Sequence, residues 1–136
     1  MDINHIALGA RDPVGLAEFY ERVFGLRRMH VAYMPDGSRL RAVWLEVAPH
    51  VVLMIEYARR SGSPPGEFEI ASFPPGYRLI TLSIDRSQRD HWLKRLADAG
   101  VDVVHESDYT LYVLDPEGNP FGLSWFDVGA YLTENH

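Results

Sequence analysis

The chain states one pattern twice, and the second statement lacks the residues that carry chemistry. Asn4-His5-Ile6-Ala7-Leu8 opens the first half, and Leu79-Ile80-Thr81-Leu82-Ser83-Ile84 opens the second, shifted by 74 positions. Each opener precedes a helix-like segment and then several strand-like ones. A β-α-β-β-β unit cannot bury both faces of its own sheet. Two copies in one chain therefore predict two modules of one kind, which could pair within the chain or with those of a second chain. His5 is a good metal ligand; Leu79, its counterpart, has no donor atom.

In the first copy, Asp12 reads as an N-cap and Pro13 as the first helical residue, where a missing N–H costs nothing. Leu16, Phe19, Tyr20, Val23 and Phe24 follow the spacing of an amphipathic helix, and Gly25 stops it. Strands are expected over 27–34, 39–47 and 51–57. The second copy predicts a strand over 79–85 and a helix capped by Asp85 or Ser87 and ended by Gly100. Strands then follow over 101–106, 109–115 and 120–126. Asp115-Pro116-Glu117-Gly118-Asn119 is a strong turn signal, with proline setting φ and glycine taking the left-handed position. The expected organisation is one domain over 1–136. Module one covers 1–57, a linker 58–77, module two 78–126, and a tail 127–136. The proline- and glycine-rich linker reads either as a plain connection or as a flap over a site, part of it pinned by Phe68, Ile70 and Phe73.

Strand alternation sorts the side chains. One set, with Leu45, Leu53, Ile55, Leu111, Val113, Phe121 and Leu123, is apolar and should pack under the helices. The other set holds His5, Trp44, Glu56, Thr81, Ser83, Tyr112, Gly122 and Ser124. That mixture of small, polar and aromatic groups is the lining of a ligand cup rather than of a dry core. Trp92 and Trp125 are expected in the core, and His91 in solvent.

The totals narrow the partners. With 13 Lys and Arg against 19 Asp and Glu, the net charge is −6, and no basic face for nucleic acid is visible. The chain has no cysteine, which removes disulfides, zinc thiolates and a thiol nucleophile. No apolar run approaches the roughly 20 residues of a membrane helix. MDINHIAL lacks a basic segment followed by an apolar one, so a cytoplasmic protein is expected.

Taken together, the paired modules, the Asn-His-Ile-Ala-Leu strand, the Phe19-Tyr20…Val23-Phe24-Gly25-Leu26 helix and the Asp-Pro-Glu-Gly-Asn turn resemble the vicinal oxygen chelate superfamily. That superfamily includes glyoxalases, fosfomycin-resistance enzymes, extradiol dioxygenases and bleomycin-resistance proteins. The likeness spans nearly the whole chain. It implies an α+β fold of two βαβββ modules forming a curved, cup-like mixed sheet, and a homodimer. In metal-dependent members, ligands on the first and last strands of each module converge on one divalent ion. His5 matches the first position. Glu56 matches the second, with Met54 as the alternative register. Leu79 and Gly122 occupy the third and fourth, so two ligands are lost.

Two functional readings follow. The first is a protein that binds or sequesters a small organic molecule without requiring a cofactor, like the bleomycin-resistance branch. The second is an enzyme of lyase, isomerase or dioxygenase type using His5 and Glu56, with or without Zn, Ni, Mn or Fe. In that case Glu56 is the candidate acid or base, and His30, His50, His105 or a partner chain would complete a metal site. The ligand pocket is expected from His5, Trp44, Glu56, Thr81, Ser83, Tyr112 and Ser124.

Overall fold

The computed structural model describes residues 3–58 and 79–135. Apart from Ala58, the expected linker or flap lies outside the described residues. Two compact units emerge, Met1–Gly66 with Asp115–Asn119 and Glu67–Leu114 with Pro120–His136. The Asp115–Asn119 turn, expected inside module two, thus belongs to the first unit.

The first unit contains β1 (His5–Ala10), α1 (Pro13–Phe24), β2 (Arg27–Tyr33), β3 (Leu40–Ala48) and β4 (Val51–Tyr57). Its four-stranded sheet has the order β1-β4-β3-β2. β1 runs parallel to β4, and the other pairs are antiparallel. Asp12 caps α1 by accepting the Gly15 N–H at 3.0 Å. Leu16, Ala17, Phe19, Tyr20, Val23 and Phe24 are buried along one helix face. They meet Val43, Leu45, Leu53 and Ile55, all buried on the same side of the sheet. Gly25 ends the helix at φ 70°, and its N–H returns to the Glu21 carbonyl at 3.0 Å. A Cβ is disfavoured in that left-handed conformation, so Gly25→Ala is expected to cost about 1 kcal/mol. Urea unfolding checks this through a lowered midpoint at unchanged slope.

The turn Asp115–Asn119 is tied to α1 by side-chain chemistry. The Tyr20 hydroxyl donates to Asp115 Oδ2 at 2.8 Å in a buried contact. Asp115 Oδ1 accepts the Glu117 and Asn119 backbone N–H groups, each at 2.9 Å, and the Asn119 amide at 3.1 Å. Glu117 Oε1 accepts the backbone N–H groups of Arg11 at 2.9 Å and Asp12 at 3.0 Å. Those donors precede the first turn of α1, where a carboxylate also complements the helix dipole.

The second unit contains β5 (Ile80–Ser83), a 3-10 turn Arg86–Gln88, α2 (Arg89–Asp98), β6 (His105–Glu106), β7 (Thr110–Leu114), β8 (Pro120–Ser124) and α3 (Val128–Asn135). Its sheet repeats the first, with order β5-β8-β7-β6 and β5 parallel to β8. Gln88 reaches back to the Asp85 N–H at 2.9 Å and closes the turn before α2. Leu96, Leu111, Val113, Phe121 and Leu123 form the buried side.

Several expectations are corrected here. β6 holds two residues rather than 101–106, because only His105 and Glu106 pair with β7. The stretch 127–136, expected as a tail, carries α3, started by the Asp127 carboxylate accepting the Ala130 N–H at 2.8 Å. Trp92 and Trp125 are half-buried rather than core. Trp92 instead lies under the Arg95 guanidinium, 5.2 Å from its ring centre. His91 is exposed, as expected.

Candidate functional site

Strand register sets the geometry of the first sheet's face opposite α1, where Trp44, Met54 and Glu56 are half-buried and Ala42 is buried. Three rows cross it. His5, Val52, Glu46 and Arg27 form one row; Ala7, Met54, Trp44 and His30 the next; Gly9, Glu56, Ala42 and Ala32 the third. The middle row carries the aromatic wall. The His30 and Trp44 rings meet edge-on, with centres 4.9 Å apart. Glu46 is paired with Arg27 at 3.4 Å. Glu56, half-buried in the third row, has neither ion pair nor hydrogen bond among the described residues. The Trp44 indole N–H is buried and meets no acceptor among the described residues. An unsatisfied buried donor costs about 1–3 kcal/mol, so this one calls for an explanation.

The same register separates two residues that sequence reasoning had placed together. His5 stands opposite Val52, whereas Glu56 stands opposite Gly9. Four residues of strand, about 13 Å at ~3.3 Å each, lie between their levels. One metal ion cannot span that gap with both side chains. Met54 pairs with Ala7, as Gly122 pairs with Thr81. Ala7 and Thr81 are themselves related by the 74-residue repeat, so Met54, not Glu56, is the counterpart of Gly122. His5 is exposed and its Nδ1 lies 2.8 Å from Asn4 Oδ1. His30 lies on the opposite edge strand, three strand spacings or about 14 Å from β1. His50 occupies the β3–β4 hairpin at φ 63°. Among the described residues, no three His, Asp or Glu side chains are grouped to hold a metal.

The second sheet's corresponding face crosses Thr81, Gly122, Tyr112 and His105 in one row, and Ser83, Ser124 and Thr110 in the next. The Tyr112 and His105 rings lie with centres 5.3 Å apart, tilted 47° to one another. Ser124 has a structural task. It accepts the Thr110 hydroxyl at 2.9 Å and donates to the Tyr109 carbonyl at 3.2 Å. A Cβ at position 122 would lie 2.8 Å from Thr81 Cγ2, 3.1 Å from Thr110 Cγ2 and 3.3 Å from the Leu111 carbonyl oxygen. Close neighbours therefore fill the space a ligand side chain would need. Leu79 precedes β5 and is half-buried.

Of the positions to which the resemblance and this register assign the family's ligands, His5, Met54, Leu79 and Gly122, His5 alone has a side-chain nitrogen or oxygen.

Sequence reasoning identified the faces but missed His30 beside Trp44. The signal was obscured by an irregularity between Arg28 and His30 in β2, which shifts the strand's alternation by one residue. Titration is perturbed away from these faces. Burial pushes the Asp115 carboxyl upward, against hydrogen bonds from Asn119, Tyr20 and Glu117. Burial, with the neighbouring Asp115 carboxylate, raises Tyr20 well above the usual phenol range.

The duplicated sheets and crossing rows define a glyoxalase-type chain, and it belongs to the Glyoxalase/Bleomycin resistance protein/Dioxygenase superfamily, whose model matches residues 2–123. A curated relative is the metallothiol transferase FosB of Bacillus licheniformis, 26% identical over 129 residues, covering 90% of this chain and 74% of that protein. Among solved structures, a variant of the fosfomycin resistance protein FosX of Listeria monocytogenes, complexed with Mn(II) and 1S,2S-dihydroxypropylphosphonic acid, superposes with a TM-score of 0.74. It is 16% identical, and the match covers 96% of this chain and 97% of that one. Lactoylglutathione lyase of Agrobacterium tumefaciens matches with a TM-score of 0.65 at 22% identity, covering 90% and 92%. These structural likenesses establish the shared fold.

Proposed function

We propose that this chain binds a small organic molecule against its open sheet faces, without the complete metal site of its metal-dependent relatives. The observation that carries the reading is the register. It aligns Met54 with Gly122 and leaves His5 as the sole donor among four equivalent positions. A catalytic divalent site normally takes about three protein ligands or more. On the first sheet, Trp44, His30 and Met54 offer apolar and aromatic surface, with Glu56 as a charge on the same face; on the second, Tyr112 offers an aromatic ring. Ser83 and Thr81 add polar groups on the second sheet, while Ser124 serves mainly to hold β7 and β8 together. The working form is read as a cytoplasmic homodimer with no nucleic-acid or membrane partner. Among the described residues, no helix is long and apolar enough to cross a membrane.

The likeness to a metallothiol transferase over 90% of the chain supports a second reading, an enzyme that uses a divalent ion at His5. Elemental analysis of protein purified without chelators, followed by calorimetric titration with Mn2+ and Zn2+, separates the two. The expected result is substoichiometric metal and no saturable site. Stoichiometric metal that disappears in His5→Ala would overturn the binding-protein reading. A melting screen against small organic molecules supplies the positive arm. A ligand at about 100 times its Kd adds about 2.7 kcal/mol of stability.

A further inference from the structure

The second unit ends in a surface that is both aromatic and acidic. The Tyr109 and Phe126 rings meet edge-on with centres 5.2 Å apart, and the Phe126 and Tyr131 rings follow at 5.6 Å. All three remain in contact with solvent: Tyr109 and Tyr131 are each 51% exposed and Phe126 39%. Val128 and Leu132 extend the patch, 57% and 49% exposed. Val128, Tyr131 and Leu132 have the i, i+3, i+4 spacing of one helix face. Every residue of α3 over 128–134 is exposed, so that face lies uncovered among the described residues. Backbone bonds hold the patch in place. The Tyr109 carbonyl accepts the Trp125 N–H at 2.9 Å and the Ser124 hydroxyl at 3.2 Å.

The charges around these rings have one sign. Residues 101–136 include no lysine or arginine. Asp108 and Asp127 adjoin Tyr109 and Phe126 in the chain, and Glu134 lies one turn beyond Tyr131; all three acids are exposed. The last turn of α3 carries Glu134 and no basic residue, a placement that the helix dipole disfavours. The cations of α2 are engaged elsewhere. Arg89 pairs with Glu106 and Asp90, Lys94 pairs with Asp98, and Arg95 lies over Trp92.

These features choose among occupants. A second copy seated on the same patch would set one acidic rim against another, and like charges across an interface are costly. An anionic lipid surface or a nucleic acid would be repelled in the same way. The five apolar side chains expose on the order of 400 Å², about half of the ~800 Å² that each partner contributes to a stable interface. The eight residues of α3 make a helix of about 12 Å. That length and area suit one further helix rather than a whole domain.

We propose that this face docks a cationic amphipathic helix of a partner protein, its apolar stripe on Phe126, Tyr131 and Leu132 and its lysines or arginines beside Asp108, Asp127 and Glu134. The inference stands apart from the small-molecule reading above. A two-turn helix is marginal alone, so docking should also firm α3.

Fluorescence anisotropy of the full chain with labelled peptides tests this. The first probe is two Leu-Lys-Lys-Leu-Leu-Lys-Leu repeats, which form an amphipathic cationic helix. The second replaces every lysine by glutamate, and the third alternates leucine and lysine over the same length. The first is expected to bind at least about ten-fold tighter than either of the others, more weakly as salt rises, and to slow hydrogen exchange of the α3 amides. Tyr131→Ser with Leu132→Ser, both at exposed positions, should weaken it about ten-fold. Glu134→Gln should weaken it a few-fold, whereas Glu18→Gln, an exposed acid on α1, should not. No binding of the first probe, equal binding of the glutamate peptide, or unchanged binding in the double variant would overturn the proposal. So would equal losses in Glu134→Gln and Glu18→Gln, which mark unspecific charge attraction. Sedimentation equilibrium adds a last arm. A wild-type dimer that Leu132→Ser converts to monomer would seat a second copy on this patch and overturn the proposal too.

Discussion

Asp115→Ala is expected to lower the stability of the fold by about 3–5 kcal/mol, the range for breaking one side of a buried charged network. The carboxylate is 4% exposed. It collects the Tyr20 hydroxyl, the Asn119 amide and the backbone N–H groups of Glu117 and Asn119. Alanine leaves all these donors without their buried acceptor. Tyr20→Phe removes one donor and keeps the ring, so it should cost about 1–2 kcal/mol. Urea unfolding of the three proteins orders them as wild type, Tyr20→Phe, Asp115→Ala. An Asp115→Ala midpoint indistinguishable from wild type would show that the turn is not tied to α1 in this way.

The pH dependence has a definite sign. Burial holds the Asp115 carboxyl above its ordinary value of 3.8 in the folded chain. The folded state therefore binds this proton more tightly than the unfolded state does. The contribution is fully present below pH 3.8 and declines as pH rises through the raised native value. The stability gap between wild type and Asp115→Ala should accordingly shrink from pH 3.5 towards neutrality, opposite to the trend of an ordinary salt-bridged aspartate.

Gly122→Glu, which places a carboxylate where the resemblance puts a fourth ligand, is expected to destabilise the chain by about 3 kcal/mol. The first atom of the new side chain meets Thr81 Cγ2 at 2.8 Å and Thr110 Cγ2 at 3.1 Å. Both threonines are branched at Cβ and stiff, so neither yields cheaply. Thr81→Ala removes the nearest methyl and should recover about 1 kcal/mol in the double variant. Strictly additive effects of Gly122→Glu and Thr81→Ala would show that the clash is not the cause. The packing of β5, β7 and β8 thus leaves no room for a larger side chain at position 122.

Much of this architecture is readable from local pattern. Asp12, Pro13 and Gly25 mark α1 because caps and stops act within one helical turn. The alternation of Leu53 with Met54, or Leu111 with Tyr112, separates two faces because a strand's period is two. What the pattern cannot supply is the level at which neighbouring strands pair. Met54 and Glu56 have the same parity, so both fit the second ligand position until β1 is set beside β4. The irregularity near Met29 likewise hides His30 from any count of alternating residues.

The sequence by itself determined that two β-α-β-β-β modules form, that each sheet has one apolar and one mixed face, and that the second module lacks a donor at Leu79 and Gly122. These follow from periodicity and side-chain chemistry, which are local properties. Tertiary structure alone decided that His5 and Glu56 stand about 13 Å apart along the strands. It also brought Trp44 to His30 and gave the Asp115–Asn119 turn to the first unit rather than the second. Those outcomes depend on strand register and long-range packing, where a shift of two residues preserves every face and changes every neighbour.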